Sequence, residues 1–261
     1  MQRRTFLQST LATGGIAAMP ALTAADDAKP KPGRQFFELR SYLLKPEKQK
    51  VLDDYLRTAL IPALSRFGIK HVGAFYETPA PAAPAVHRLI TYQTLEQMAA
   101  AAAALEMDAA YQQAAAGYLA IPATDPVYDR IESSLLHAFE TMPRLEAPAK
   151  KSQLFNLRIY ESHNEAAGKK KIEMFNKGEI AIFRRVGLTP VLFGEAILGT
   201  RIPNLTYLLA FDDDAARTEA WNRFRSDPEW VKLKAIPEYE DKRIVSKITN
   251  KLLTPTEYSQ I

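Results

Sequence analysis

No cysteine occurs in the 261 residues, and histidine is limited to four. Disulfides, thiolate nucleophiles, Cys-ligated zinc and iron–sulfur clusters are thereby excluded, and no cofactor is expected. Stability has to come from core burial, which a chain of this length can supply. An excess of one charge is also missing: the formal net charge is +4, and two of those charges belong to Arg3 and Arg4. Elsewhere Lys and Arg are interspersed with Asp and Glu, so no basic stripe marks a nucleic-acid-binding face. The densest run, Lys169-Lys170-Lys171, opens a predicted helix and reads as a solvated surface. No apolar run reaches the ~20 residues that a transmembrane helix needs, so stable membrane insertion is not expected. A phosphate-cradling glycine loop, a serine nucleophile elbow and a His-Glu-x-x-His pair are likewise missing.

What is present begins at the N-terminus. Arg3-Arg4-Thr5-Phe6-Leu7 precedes a mild apolar stretch from Leu11 to Leu22, and Thr23, Ala24 and Ala25 offer small residues for cleavage. Residues 1–25 therefore read as a signal peptide of the twin-arginine type, which places the mature chain in the periplasm or another extracytoplasmic space. Residues 26–34 read as a flexible spacer.

Self-similarity organises the rest. Phe37-Glu38-Leu39-Arg40-Ser41-Tyr42 recurs as Phe155-Asn156-Leu157-Arg158-Ile159-Tyr160, an offset of 118. An offset of 119 aligns Phe67-Gly68-Ile69 with Val186-Gly187-Leu188, and Val86–Tyr92 with Leu205–Phe211. It also aligns Asp108-Ala109-Ala110-Tyr111 with Asp227-Pro228-Glu229-Trp230. Strands are predicted over 36–43, 70–77, 86–92 and 127–137, with helices over 47–67 and 94–119. The second copy repeats this order, with strands over 154–161, 188–198, 204–211 and 241–250. Pro62 is expected to bend the first helix. The chain thus reads as α+β: two tandem βαββαβ units of the ferredoxin-like arrangement, 35–139 and 153–256, joined by a linker over 140–152.

A sheet with helices on one face leaves the other bare, and the simplest cover is the sister sheet, giving a barrel-like interior within one chain. Phe37, Leu39 and Leu43, with Phe155, Leu157 and Ile159, are expected under the helices. Glu38, Arg40 and Tyr42, with Arg158 and Tyr160, are expected to line an interdomain cavity. Glu77 and Glu195 end equivalent strands and are placed at its mouth. Arg40 then either pairs with Glu38, Glu77 or Glu195 and fixes how the domains meet, or anchors a small anionic or oxygenated ligand. His71 and His87 fall on adjacent predicted strands, His137 lies in the fourth, and His163 precedes a helix capped by Asn164. None has the spacing of a metal site, and no metal is expected.

On its repeated Phe-x-Leu-Arg-x-Tyr strand, and on Lys171–Asn176, Asn204–Leu209, Asp227–Lys232 and Ile244–Asn250, the chain resembles the NIPSNAP family of the dimeric α/β-barrel superfamily. The resemblance covers nearly all of the mature chain and is stronger in the second copy. It implies paired ferredoxin-like domains and carries no settled reaction or catalytic residues. Two functions follow as expectations: a small-molecule ligand in the interdomain cavity, or a non-enzymatic scaffold whose outer helices or free strand edges bind partners. Self-association into a homo-oligomer is left open.

Overall fold

The computed structural model describes residues 33–81, 84–149 and 152–261. The expected signal peptide and most of the spacer lie outside the described residues, as does Lys150-Lys151 of the linker. The first half supplies β1 (Phe36–Leu43), β2 (Gly73–Glu77), β3 (Ala85–Tyr92) and β4 (Arg130–Ala138). The second supplies β5 (Leu154–Glu161), β6 (Thr189–Leu198), β7 (Asn204–Phe211) and β8 (Lys247–Pro255). All pair antiparallel, in the order β1-β3-β2-β8-β5-β7-β6-β4, and β4 returns to β1 to close a barrel. Each half keeps its strands together, and the halves meet along β2–β8 and β4–β6. The two seams between the halves are short, since β8 pairs with β2 only over Leu253–Pro255 and β4 with β6 only over Leu135–Ala138, so among the described residues the remainder of β4 and of β8 has a strand partner on one side only.

Helices coat the outside. The first half carries α1 (Gln49–Tyr55), α2 (Ile61–Arg66), α3 (Leu95–Met107) and α4 (Ala109–Leu119). The second carries α5 (Glu165–Met174), α6 (Ile180–Val186), α7 (Asp214–Ser226), α8 (Pro228–Lys234) and the short α9 (Asp241–Ile244). A π turn, Leu56–Leu60, joins α1 to α2, and an equivalent one, Phe175–Glu179, joins α5 to α6. Ala181 stands where the first copy has Pro62, so the proline is not the cause of this turn, which belongs to the repeated unit. The predicted single helix over 94–119 breaks at Asp108, whose extended backbone and side chain cap α4. Asp227 caps α8 in the same way, and Asn164 caps α5 as expected. Gly187 ends α6 with φ of 87°, which a side chain would strain. The last strand starts later than predicted, because Asp241–Ile244 forms a helical turn that buries Ile244.

The two faces of the barrel wall are the reverse of those expected. Phe37, Leu89, Leu136, Phe155, Leu157, Leu208 and Leu253 point inward and pack together. Tyr42 packs instead with the helices of the first half, and Tyr160 with those of the second. The reason is dehydration. A closed barrel of eight strands has the driest and narrowest interior, so the purely apolar Phe-x-Leu face belongs there. The mixed Glu-x-Arg-x-Tyr face goes where polar tips can reach partners or the edge of a helix layer. Space inside is short: at Gly194 an added methyl group would sit 2.8 Å from Leu136 Cβ.

Candidate functional site

The strand residues Glu38 and Arg40 line a cavity of about 400 Å³ between the outer barrel wall and the helices of the first half. Its floor adds Arg88, Ile90 and Tyr92 from β3; its walls include Tyr55, Leu64, Met98 and Tyr111. Arg40 and Arg88 face each other because β1 and β3 pair in that register. The buried Glu38 carboxylate is shared: Oε1 lies 2.5 Å from Arg40 Nη2 and accepts from Arg88 Nη2 at 2.9 Å. Its Oε2 accepts from Tyr92 Oη at 3.2 Å. Arg88 also donates to Tyr42 Oη at 3.2 Å, and Arg40 Nε to Ser133 Oγ at 2.9 Å. Arg88 Nε has no hydrogen-bond partner among the described residues. Two guanidiniums thus face one carboxylate, and the floor keeps one unit of positive charge. Burial works to discharge Arg40, but Glu38 and Tyr42 together outweigh it and raise its pKa. Burial, helped by Glu38, pushes the Tyr92 phenol up, so it stays a neutral donor. Across the cavity, Tyr55 and Tyr111 hydroxyls sit 2.9 Å apart, while the exposed Glu106 and Gln112 belong to its rim.

The second half repeats the arrangement with different chemistry. Arg158, at the position of Arg40, lines a cavity of about 380 Å³ with Arg217, Thr218, Trp221, Phe224 and Arg225. Its guanidinium lies 4.8 Å from the Trp221 ring, a cation–π contact. It donates to Asn250 Oδ1 at 3.2 Å and Tyr160 Oη at 3.0 Å. Asn156 replaces Glu38, Tyr207 replaces Arg88, and Phe211 replaces Tyr92. The carboxylate with two arginines is therefore a property of the first copy.

A second buried charge pair lies deeper in the second half. Lys171, expected on a solvated face, is 1% exposed, with Glu179 Oε2 at 3.2 Å and Asp241 Oδ1 at 3.4 Å. Tyr160, Phe175 and Trp230 rings stand 5.6, 5.0 and 5.8 Å from its ammonium. Burial acts to discharge Lys171, but Glu179 and Asp241 overcome it and raise its pKa. Burial pushes Glu179 up while Lys171 pulls it back. The solvated reading holds for Lys169, which pairs with Glu195 at 2.7 Å on the outside.

The seven expected cavity residues thus divide. Glu38 and Arg40 meet in the first cavity, and Tyr42 joins them through Arg88. Arg158 and Tyr160 meet on the far half. Glu77 faces the barrel interior, and Glu195 lies outside at Lys169. No shared interdomain cavity brings all seven together, because the barrel centre is filled and leaves a gap of about 10 Å³. Of the histidines, His71 and His163 are exposed, His137 stacks on Phe36 at 4.6 Å, and His87 is buried. Among the described residues no group of His, Asp and Glu is arranged to hold a metal ion, and no helix is long and apolar enough to cross a membrane.

Sequence reasoning passed over Arg88 and Glu179 and placed Lys171 on the surface. Arg88 carried a signal: it interrupts the apolar run Val86–Tyr92, and a charge in a fully covered strand must be partnered.

Comparison with known proteins adds the following. The family model described as NIPSNAP matches residues 37–137 and again residues 155–260. No curated protein is similar to the chain. Among solved structures, the provisionally named monooxygenase of Lactobacillus acidophilus is similar, with TM-score 0.59 and 11% identity over 85% of this chain and 94% of that one. Its counterpart from Fusobacterium nucleatum gives TM-score 0.58 and 9% identity over 85% and 93%. An uncharacterized NIPSNAP-like domain protein of Burkholderia xenovorans is 20% identical over 42% of this chain and 90% of its own, with TM-score 0.38.

Proposed function

The chain belongs to the NIPSNAP family, whose domain it carries twice, and from that premise we propose that it binds a small, partly apolar molecule bearing an acidic oxygen in the helix-side cavity of its first half. Each half reads as a ferredoxin-like unit, since strand order β4-β1-β3-β2 and its counterpart β8-β5-β7-β6 follow the βαββαβ chain order. The supporting observation is the floor of the cavity: Arg40 and Arg88 share the single carboxylate of Glu38. A volume of about 400 Å³, lined mostly by apolar and aromatic groups around a few convergent polar ones, suits a small ligand. A ligand carboxylate or phenolate reaching Arg40 restores charge balance and gains a charge-assisted hydrogen bond. The monooxygenase names belong to chains 9–11% identical to this one; they share its fold, and oxygenation is not carried over from them.

The test is calorimetric titration of the chain with aromatic carboxylates and phenols. Hydrogen bonds to charged groups contribute about 1.5–3 kcal/mol, so Arg40→Gln should weaken the best binder roughly 10- to 100-fold. Arg40 is partly exposed and its loss leaves Glu38 paired with Arg88, so the fold should survive. Equal affinity in the variant, or no binder in the panel, overturns the reading.

We also propose that residues 1–25 direct export. Changing Arg3 and Arg4 together to Lys in a bacterial host should leave uncleaved precursor inside the cell, whereas the unaltered chain should be recovered outside the cytoplasm with an N-terminus near residue 26. Unchanged export of the double variant would remove the twin-arginine reading.

A further inference from the structure

Inside the barrel, polar residues gather at one mouth, around a pocket of about 70 Å³ lined by Ser41, His87, Glu132, Arg201 and Lys251 beside apolar neighbours. This pocket lies on the opposite face of the wall from the cavity described above. Ser41, His87, Glu77 and Lys251 stand on β1, β3, β2 and β8, four successive strands around the barrel. Ser41 and His87 are direct cross-strand partners, and Glu77 lies two residues beyond Phe75, the partner of His87 on the other side. The set exists because the halves close on each other: Lys251 comes from the second.

The contacts are short and ordered. Ser41 Oγ is 2.8 Å from His87 Nδ1, and Glu77 Oε1 is 2.9 Å from His87 Nε2. Lys251 Nζ donates to the same Glu77 oxygen. Chemistry then places the protons. Glu77, between an imidazole and an ammonium, is ionised and can only accept, so His87 Nε2 carries hydrogen and donates to it. His87 is 1% exposed, which favours the neutral ring. Its Nδ1 is therefore a lone pair, and the Ser41 hydroxyl is the donor. A hydroxyl, a base and a carboxylate that fixes the tautomer of the base form the relay that activates serine nucleophiles, recognised by geometry and role rather than by a loop motif. The missing nucleophile elbow has no bearing on it, because Ser41 sits on a strand.

We infer that Ser41 is a nucleophile toward small acyl esters entering this mouth. Ser41 Oγ bonds to the ester carbonyl carbon as its proton passes to His87 Nδ1. The carbon–oxygen bond to the leaving alcohol breaks as that proton is delivered to the departing oxygen, leaving Ser41 acylated. Water, deprotonated by the same Nδ1, then attacks the acyl carbon. The carboxylic acid leaves and Ser41 recovers its hydrogen. Lys251 and Arg201 are the cations lining this pocket as negative charge develops on the carbonyl oxygen. The pocket measures about 70 Å³, which favours a short acyl part.

The probe is a small fluorophosphonate applied to the intact chain, with peptide mass mapping, alongside release of p-nitrophenol from p-nitrophenyl acetate. The expected result is one phosphonyl group on Ser41, no labelling there and no ester turnover in S41A, and labelling slowed at least tenfold in E77Q. Circular dichroism shows whether each variant is folded. A folded chain that takes no label at Ser41, or one whose ester turnover survives S41A, overturns the inference. So does E77Q labelling at the original rate, since the carboxylate would then orient nothing.

Discussion

Exchanging Lys171 for leucine is expected to destabilise the chain by about 3–5 kcal/mol, the usual cost of removing one partner from a buried ion pair. Glu179, 2% exposed, would be left with its charge in an apolar layer, and its pKa, already raised by burial, would climb until it bound a proton. Asp241 is a second carboxylate, which loses the same ammonium and offers Glu179 no compensating charge. The internal repeat supplies the control. At the same positions the first half carries Leu52 and Leu60, both buried in its own helix-to-sheet core. The architecture therefore accepts two leucines where the second half has an ion pair. K171L combined with E179L should recover most of the loss, because it removes both desolvated charges together. Urea denaturation of the wild type, both single variants and the double variant measures this. A K171L chain within 1 kcal/mol of wild type, or a double variant no more stable than the singles, would refute the account.

How far the sequence announced this structure follows from what repeats and what faces what. The duplication, the βαββαβ order and the pairing of halves into a barrel were legible, because matched motifs recur at nearly one offset and a bare sheet needs a cover. The side on which each face lies was not legible. In β1, Phe37 and Leu39 alternate with Glu38 and Arg40, and alternation alone says which residues share a face, never which layer that face meets. The deciding quantity was the dryness of the closed interior. Glu38 was one of three carboxylates open to Arg40, and it is the one that Arg40 meets, but under the helices rather than between the halves. Lys171 was misread for a related reason: three lysines in a row look solvated, yet a helix turns successive residues through about 100°, and one of them faced the core. The Ser41–His87–Glu77 relay spans residues 46 and 10 apart in sequence, with no local pattern, and register alone brings it together.

The second large effect lies in the barrel centre. Phe155→Ala should cost about 3–5 kcal/mol, as truncation of a fully buried phenylalanine generally does. Phe155 is 0% exposed and packs edge-on against Phe75, with ring centres 4.9 Å apart. The two rings come from different halves, so the contact measures the halves' cohesion as well as core filling. Phe75→Ala should be similarly costly, and the double variant should cost less than the two added, because the second truncation enlarges a cavity that already exists. The centre leaves about 10 Å³ free in the native chain, too little for a ligand, and no compound that binds the helix-side cavity should fill the new void. If instead F155A is nearly neutral, or an apolar ligand entering the barrel stabilises the native chain itself, the barrel interior is a binding chamber. If the two truncations simply add, the halves are packed independently, and closure along β2–β8 and β4–β6 rests on the strand ladders rather than on the shared core.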